Sequence, residues 1–465
     1  LSRLDLDRPE LADVAAVADD PPAAAAALLD FYRHRTDFRH PIDPARRLGL
    51  RGRYATPRSL DLAEKAGRNI LLANPNYPLH DFGERIDWSF NPTADDEWRW
   101  QLHRTHSWGH LGRAFWHTGD EKYPRVWAEQ LLDWIEHNPR DDDHPYAWRT
   151  IETGIRGHAW IDHFQHFLHA EAMTPTVLAA FMNACGDHAV YLDAALADNP
   201  TGNNWRLMEA EGLAFIAMCF PQFQRADAWR RRAFDVLRAQ IKAQVRPDGM
   251  QYEQCFGYHA GCIRWFARTA ELADLNGCGD EFGPDYYRRI ESMCGVLMNL
   301  SLPDGSAAQF GDSARSVHVR GTLRAALKLF DRDDFRYVAT AGRRGRVPAE
   351  TAFALPDSGL YAMRSSWGPK ATCLILKCGP DGGSHCQPDN GTFVLAAGGR
   401  LLTPDSGTYI YRGDPAGRAW FRRTAVHQTL TLDGRNSAYA PRQRLWQPGR
   451  NLVALVVEND SYDGL

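Results

Sequence analysis

Residues 353–377, FALPDSGLYAMRSSWGPKATCLILK, mark a change of pattern in the chain. Before Leu355, apolar residues recur at three- and four-residue spacing. From Gly359 they come in short alternating runs, Gly359–Ser365 and Thr372–Lys377, bounded by Gly, Pro and Asp. A period of 3.6 puts apolar side chains on one stripe of a helix; a period of two puts them on one face of a strand. The sequence therefore reads as a helical part followed by antiparallel sheet, which predicts separate α and β domains. The predicted boundaries are residues 1–345 and 346–465.

Upstream, amphipathic helices are predicted at 95–117, 121–137, 147–169, 174–196, 204–219, 223–246, 251–275 and 283–300. Turn signals separate them at Thr118-Gly119-Asp120, Asn138-Pro139, Asn199-Pro200, Pro247-Asp248-Gly249 and Asn276-Gly277. Such a succession predicts antiparallel helical hairpins, which can close into a toroid of helix pairs. The Ala-rich stretch Pro22–Tyr32 adds a further helix. Residues 50–92, with Asn74-Pro75, Asn91-Pro92 and several Gly, read as irregular. Downstream, strands are predicted at Gly391–Ala397, Leu401–Pro404, Thr408–Tyr411, His427–Leu432 and Leu452–Glu458.

Composition narrows the classes. The 465 residues are 44% hydrophobic and 24% charged, a globular balance. Aromatics are plentiful, and most are expected in the core. The formal net charge of −4 argues against a general nucleic-acid binder, although a local Arg/His cleft can still hold an anion. Nine Cys without a CxxC pair indicate neither a disulfide framework nor a zinc finger. No apolar run approaches the ~20 residues that span a bilayer, so no membrane partner is expected. The chain starts at Leu1 and stops at Leu465, soon after a strand-like run, so a leader and further sheet are expected outside it. Oligomeric state is not legible.

Three islands concentrate polar residues. In Gly202-Asn203-Asn204-Trp205-Arg206-Leu207-Met208-Glu209, one Asn is expected to cap a helix. In Met250-Gln251-Tyr252-Glu253-Gln254-Cys255-Phe256-Gly257-Tyr258-His259, Tyr258 and His259 are able to move protons, or else they pack in an amphipathic helix. In Gly382-Gly383-Ser384-His385-Cys386-Gln387-Pro388-Asp389-Asn390-Gly391-Thr392-Phe393, a His sits on a loop at a strand start, where sites concentrate, or else on an exposed turn. His103, His106 and His110, at i, i+3 and i+7, are expected to share a wet helix face. Trp148, Arg149, Glu152 and Arg156 lie along another, and Arg suits sulfate or carboxylate.

In this order, the islands resemble the active-site segments of heparinase II/III-type lyases, the heparinase III branch most closely. Phe353–Arg364, Thr403–Tyr409 and Val426–Gly434 are similar to further blocks of that family, and the similarity covers residues 90 to 460. The resemblance implies an incomplete (α/α) toroid followed by an antiparallel β-sandwich, and a bacterial enzyme of the periplasm or cell exterior. It implies that Asn204 binds the substrate carboxylate and that Tyr258 and His385 are catalytic. It also implies one structural divalent ion, held by Gln387, Asp405 and His427. Many relatives have a second His at the place of Gln387, and two oxygen ligands with one imidazole suit calcium as well as zinc. Asn203, Glu209, His259, Trp148, Arg149, Glu152 and His106 are expected to contact the polymer.

The chemistry needs these residue types. Removing the C5 proton of a uronate adds charge to a group that is already anionic, so a donor such as the Asn204 amide, helped by a protonated Glu209, must stabilise it. A base takes the proton and an acid protonates the leaving O4. His385 is expected as base and Tyr258 as acid for glucuronate. The expected substrate is heparan sulfate or heparin; the same fold acting on alginate or another polyuronate is the near alternative. A toroid glycosidase would instead need two carboxylates, with Glu97, Asp248 and Asp312 as candidates, and a non-catalytic glycan binder would need neither.

Overall fold

The computed structural model describes residues 1–74, 77–93, 96–198, 202–314, 317–411, 414–449 and 451–462. The predicted turn at Asn199-Pro200 lies outside them, as does Pro75. Two compact units emerge: Leu1–Leu237 with Leu272–Glu281, and Arg238–Glu271 with Phe282–Leu465. Among the described residues no helix is long and apolar enough to cross a membrane, and all nine cysteines are free.

The first unit is helical: α1 (Ala12–Ala15), α2 (Pro21–His34), α3 (Pro57–Ala66), α4 (Glu97–Leu102), α5 (Trp108–Thr118), α6 (Lys122–His137), α7 (Thr150–Phe167), α8 (Pro175–Asp198), α9 (Asn204–Cys219) and the start of α10 (Ala226–Gln244). A two-stranded ladder joins β1 (Ile70–Leu71) to β2 (His80–Asp81). Trp98, Trp108, Trp116, Trp127, Trp134 and Trp160 are fully buried, so the expectation that most rings are core holds for them. Helices α7 and α9 pack backbone against backbone. A Cβ on Gly212 would lie 2.3 Å from the Gly154 carbonyl oxygen, and one on Gly154 2.5 Å from that of Met208. This approach sets the starts of the two helices, which carry Glu152 and Glu209, in one packed layer.

Two expectations fail in this unit. The stretch 50–92 is not irregular throughout, because α3 lies within it. The Thr56 hydroxyl accepts from the Ser59 amide at 3.2 Å and Pro57 opens the helix, a normal start signal. The predicted helix 95–117 is broken between α4 and α5, where Thr105 takes φ 53°. His103, His106 and His110 therefore do not share a face. His103 is buried and accepts from the Trp134 indole at 3.2 Å. Burial and the nearby Arg156 push its pKa down to about 3. His110 pairs with the Ser59 hydroxyl at 2.9 Å, and His106 is exposed.

The second unit contains the end of α10, most of α11 (Phe256–Leu275), α12 (Pro284–Asn299), α13 (Val319–Ala326), α14 (Asp333–Ala339) and α15 (Pro415–Phe421). Its sheet runs in the order β3 (Ala352–Leu355), β4 (Leu360–Arg364), β5 (Cys373–Lys377), β6 (Phe393–Ala397) and β7 (Arg400–Thr403), antiparallel throughout. In β5, Cys373, Ile375 and Lys377 point inward, with Ile375 opposite Val394 and Ala362. β8 (Pro441–Gln447) and β9 (Ala454–Asn459) form a separate ladder.

The predicted strands at Thr408–Tyr411 and His427–Leu432 do not form. Their alternation reflects one-sided contacts. The Tyr409 ring stacks on Phe421 at 4.9 Å, the Gln428 backbone N–H donates to the Thr392 hydroxyl at 3.2 Å, and the Thr429 hydroxyl donates to the Asn390 carbonyl at 2.7 Å. β3 and β8 went unpredicted; β8, PRQRLWQ, is mostly exposed and carries two Arg.

Candidate active site

The second unit brings Tyr258 and His385 together. Tyr258 sits in the first turn of α11, and His385 lies in the loop between β5 and β6. Their rings stack with centroids 3.8 Å apart and planes inclined by 21°. Local backbone sets this up. Gln254, just before α11, takes φ 53° and donates from its amide to the Pro380 carbonyl at 2.7 Å, pinning the helix start to the His385 loop. Asp312 N–H donates to the His385 carbonyl at 2.9 Å, and Arg422 donates to the Ser384 and Cys386 carbonyls, each at 2.9 Å.

Asp312 orients the imidazole. Its Oδ2 lies 3.0 Å from His385 Nδ1 and accepts from Arg418 at 2.8 Å. Burial opposes the Asp312 charge, but the bonds from His385 and Arg418 outweigh it and hold the carboxyl below its usual range. A carboxylate at Nδ1 fixes the proton there and leaves Nε2 with the lone pair. Glu253 Oε1 lies 3.8 Å from that Nε2; burial raises the pKa of Glu253 against the pull of His385. The Tyr258 hydroxyl meets the Tyr411 hydroxyl at 3.0 Å. Burial raises the Tyr258 pKa, so the phenol keeps its proton at neutral pH. His259, next in sequence, is wholly buried: Nδ1 accepts from the Gln251 amide at 3.2 Å and Nε2 donates to the Met293 carbonyl at 2.9 Å.

The other expected contact residues lie in the first unit. Asn203 caps α9, its Oδ1 accepting from the Trp205 and Arg206 amides at 3.0 and 3.4 Å. Asn204 therefore enters the first turn with its amide uncommitted to capping, and it is half-buried. Glu209 is buried, which raises its pKa against bonding to Thr150 and the charge of Arg206. Arg149 lies between the Trp100 and Trp205 rings, 3.5 and 4.7 Å from their centroids. Glu152 is buried and pairs with Arg104 at 2.7 Å. Trp148 is largely buried, its indole donating to the Asn138 carbonyl at 3.0 Å.

A third cluster lies in the second unit beside the His385 loop. Asp389, Asp405 and His427 are all buried, and each offers one ligand atom within 4.8 Å of the others. His427 Nδ1 bonds Asp405 Oδ2 at 2.9 Å. His427 Nε2, Gln387 Oε1 and Asp389 Oδ2 are buried without a hydrogen-bond partner. One such orphan costs ~1–3 kcal/mol, so three in one region call for a ligand. Oxygen donors with one imidazole fit a divalent cation. Asp389 also pairs with the buried Lys377.

Asp312, Glu253, Tyr411 and Arg418 surround the Tyr258–His385 pair, and Asp389 joins Asp405 and His427, contacts that the sequence did not assign. Glu253 and Asp389 stood within two of the polar islands, where their density was the signal. Tyr411 was placed in a strand, and Asp312 appeared only as a hydrolase carboxylate. Each of that alternative's three carboxylates has a partner: Glu97 accepts from the Gln101 side-chain amide at 2.5 Å. Asp312 is committed to His385 and Arg418, and Asp248 accepts from the Ser358 amide and hydroxyl at 2.8 and 3.0 Å.

Comparison with known proteins identifies the family. The family described as Heparinase II/III N-terminus matches residues 1–337, and Heparinase II/III-like, C-terminal matches residues 347–462. A heparin-sulfate lyase of Pedobacter heparinus is 35% identical over 480 residues, covering 98% of this chain and 70% of the relative. One of Bacteroides stercoris is also 35% identical, over 494 residues, covering 100% and 73%. A solved heparinase III structure, 35% identical, superimposes with a TM-score of 0.81 over 99% of this chain and 74% of that one. The expected fold class, toroid followed by sandwich, is thereby the fold of this chain.

Proposed function

The chain belongs to the heparinase II/III family, and we propose that it is a polysaccharide lyase that cleaves heparan sulfate and heparin by β-elimination, leaving an unsaturated uronate at the new chain end. The observation that carries the reading is the stacked pair of Tyr258 and His385, one kept protonated by burial and the other held by Asp312 with Nε2 as the lone-pair nitrogen. His385 Nε2 takes the C5 proton, and the Tyr258 hydroxyl gives its proton to the departing O4. The Asn204 amide donates to the uronate carboxylate while C5 loses its proton, and a neutral Glu209 adds a second donor. Arg149 and His106 hold anionic groups of the polymer. Buried His259 supports the turn behind Tyr258.

A divalent ion, calcium or zinc, would be held by Gln387, Asp405 and His427, with Asp389 added to the expected set. It would supply a fixed crosslink behind the His385 loop. The substrate is an extracellular polymer, which supports a periplasmic or secreted location.

The test is ultraviolet absorbance of new unsaturated ends, measured on heparan sulfate, heparin, hyaluronan, chondroitin and alginate. Heparan sulfate and heparin are expected to react, and His385→Ala and Tyr258→Phe each to lose at least ~10²-fold in kcat. Near-normal turnover by either variant overturns its role, and product from alginate alone overturns the substrate.

A further inference from the structure

We propose that the second unit carries an additional binding site for a sulfated polysaccharide, built from Arg324, Arg343 and Arg344. The stretch 319–347 holds eight Arg and Lys against three Asp, a local excess of five positive charges in a chain of net charge −4. The three Asp are consumed locally: Asp331 and Asp333 by Arg336, Asp334 by Arg332. Lys328 pairs with Glu271. Among the described residues, Arg324, Arg343 and Arg344 form no ion pair, and with Thr340 they line a recess of about 450 Å³.

The site is built in advance. Thr340 Oγ1 accepts from the Arg344 amide at 3.0 Å. Arg346 N–H donates to the Asp333 carbonyl at 3.1 Å. Gly345 takes φ 86°, pressed so close to α14 that a Cβ would lie 2.2 Å from that same carbonyl oxygen. The backbone of the loop 340–346 is thus fixed against its helix, so that binding need order only the exposed arginine side chains. Arg324 and Arg343 each donate to a carbonyl at the end of α14, Ala339 at 3.2 Å and Thr340 at 3.1 Å. Helix capping accounts for one donor of each guanidinium, which has five. The planar forks suit the oxygens of a sulfate ester. A long polymer gripped here raises the effective concentration of its own cleavable bonds.

This rests on the reading of the enzyme as a lyase of a sulfated polymer. Two variants test it, R324A/R343A/R344A and R343A/R344A; the second keeps the Arg324 cap and so guards against a folding defect. Three exposed arginines elsewhere, Arg58, Arg125 and Arg231, changed together to Ala, control for net charge. On heparan sulfate polymer, KM is expected to rise on the order of 5-fold at low salt with kcat unchanged, while KM for a tetrasaccharide stays put. Elution from immobilised heparin should move to lower salt by more than elution from a sulfopropyl resin. A polymer KM within about twofold of the parent, or equal shifts on the two resins, overturns the site. If the parent releases no unsaturated ends, the lyase reading fails, and heparin retention alone still decides the binding site.

Discussion

At His385 the chemistry turns on which ring nitrogen carries the proton. Asp312 at Nδ1 selects the tautomer that leaves Nε2, the proposed base, with the lone pair, and the bonds from His385 and Arg418 keep Asp312 charged. Asp312→Asn keeps the shape but can donate to Nδ1 and so favour the opposite tautomer. kcat on heparan sulfate is expected to fall on the order of 10²-fold, with the circular dichroism spectrum and melting temperature near those of the parent. Undiminished kcat would show that Asp312 does not set the tautomer. At this scale the sequence was legible where polar residues crowd together: Tyr258 and His385 both stood out from apolar surroundings. Asp312 was not, because its meaning lies in a partner 73 positions away. A lone Gly-Asp pair in an apolar run says nothing of what it faces.

The elements bearing on the proposed metal are loops between strands. Gln387 and Asp389 lie between β5 and β6, Asp405 follows β7, and His427 follows α15. An ion held there would tie the His427 segment, which belongs to no ladder, to two loops of the five-stranded sheet, and it would act on the native state alone. One equivalent of calcium or zinc per chain is expected by elemental analysis. Chelation should lower the melting temperature by a few °C, and His427→Ala should abolish both the metal and the chelator response. A metal-free protein indifferent to chelator would refute the site. These segments were also the hardest to read in advance. Alternation at Thr408–Tyr411 and His427–Leu432 imitates a strand, yet it reports only that one side is covered. Helix α6 was read to within a residue because its apolar stripe repeats over several turns, whereas α9, buried on every side from Arg206 to Cys219, was marked at its start by the capping Asn203. The break at Thr105 went unseen because a single left-handed residue leaves no mark in the apolar spacing.

Over the whole molecule, net charge concealed both the basic stretch at 319–347 and a store of buried, neutral imidazoles. His103 and His163 are pushed down to about 3, and His166 and His259 to about 4, in each case chiefly by burial. In the unfolded chain each titrates near ~6.5. The folded state thus binds fewer protons than the unfolded state between these values, and stability rises with pH across the window. The contribution is complete above pH ~6.5 and is lost as pH falls, through about 4 for His166 and His259 and about 3 for His103 and His163, at ~1.4 kcal/mol per pH unit for each histidine that remains neutral. The urea midpoint should therefore climb between pH ~4.5 and ~7. His385→Ala separates this effect from catalysis: it lacks the proposed base but retains all four buried rings, so its midpoint must follow the parent's pH dependence while its turnover is gone. A midpoint that is flat over that range in both proteins would mean that the four imidazoles do not stay neutral on folding.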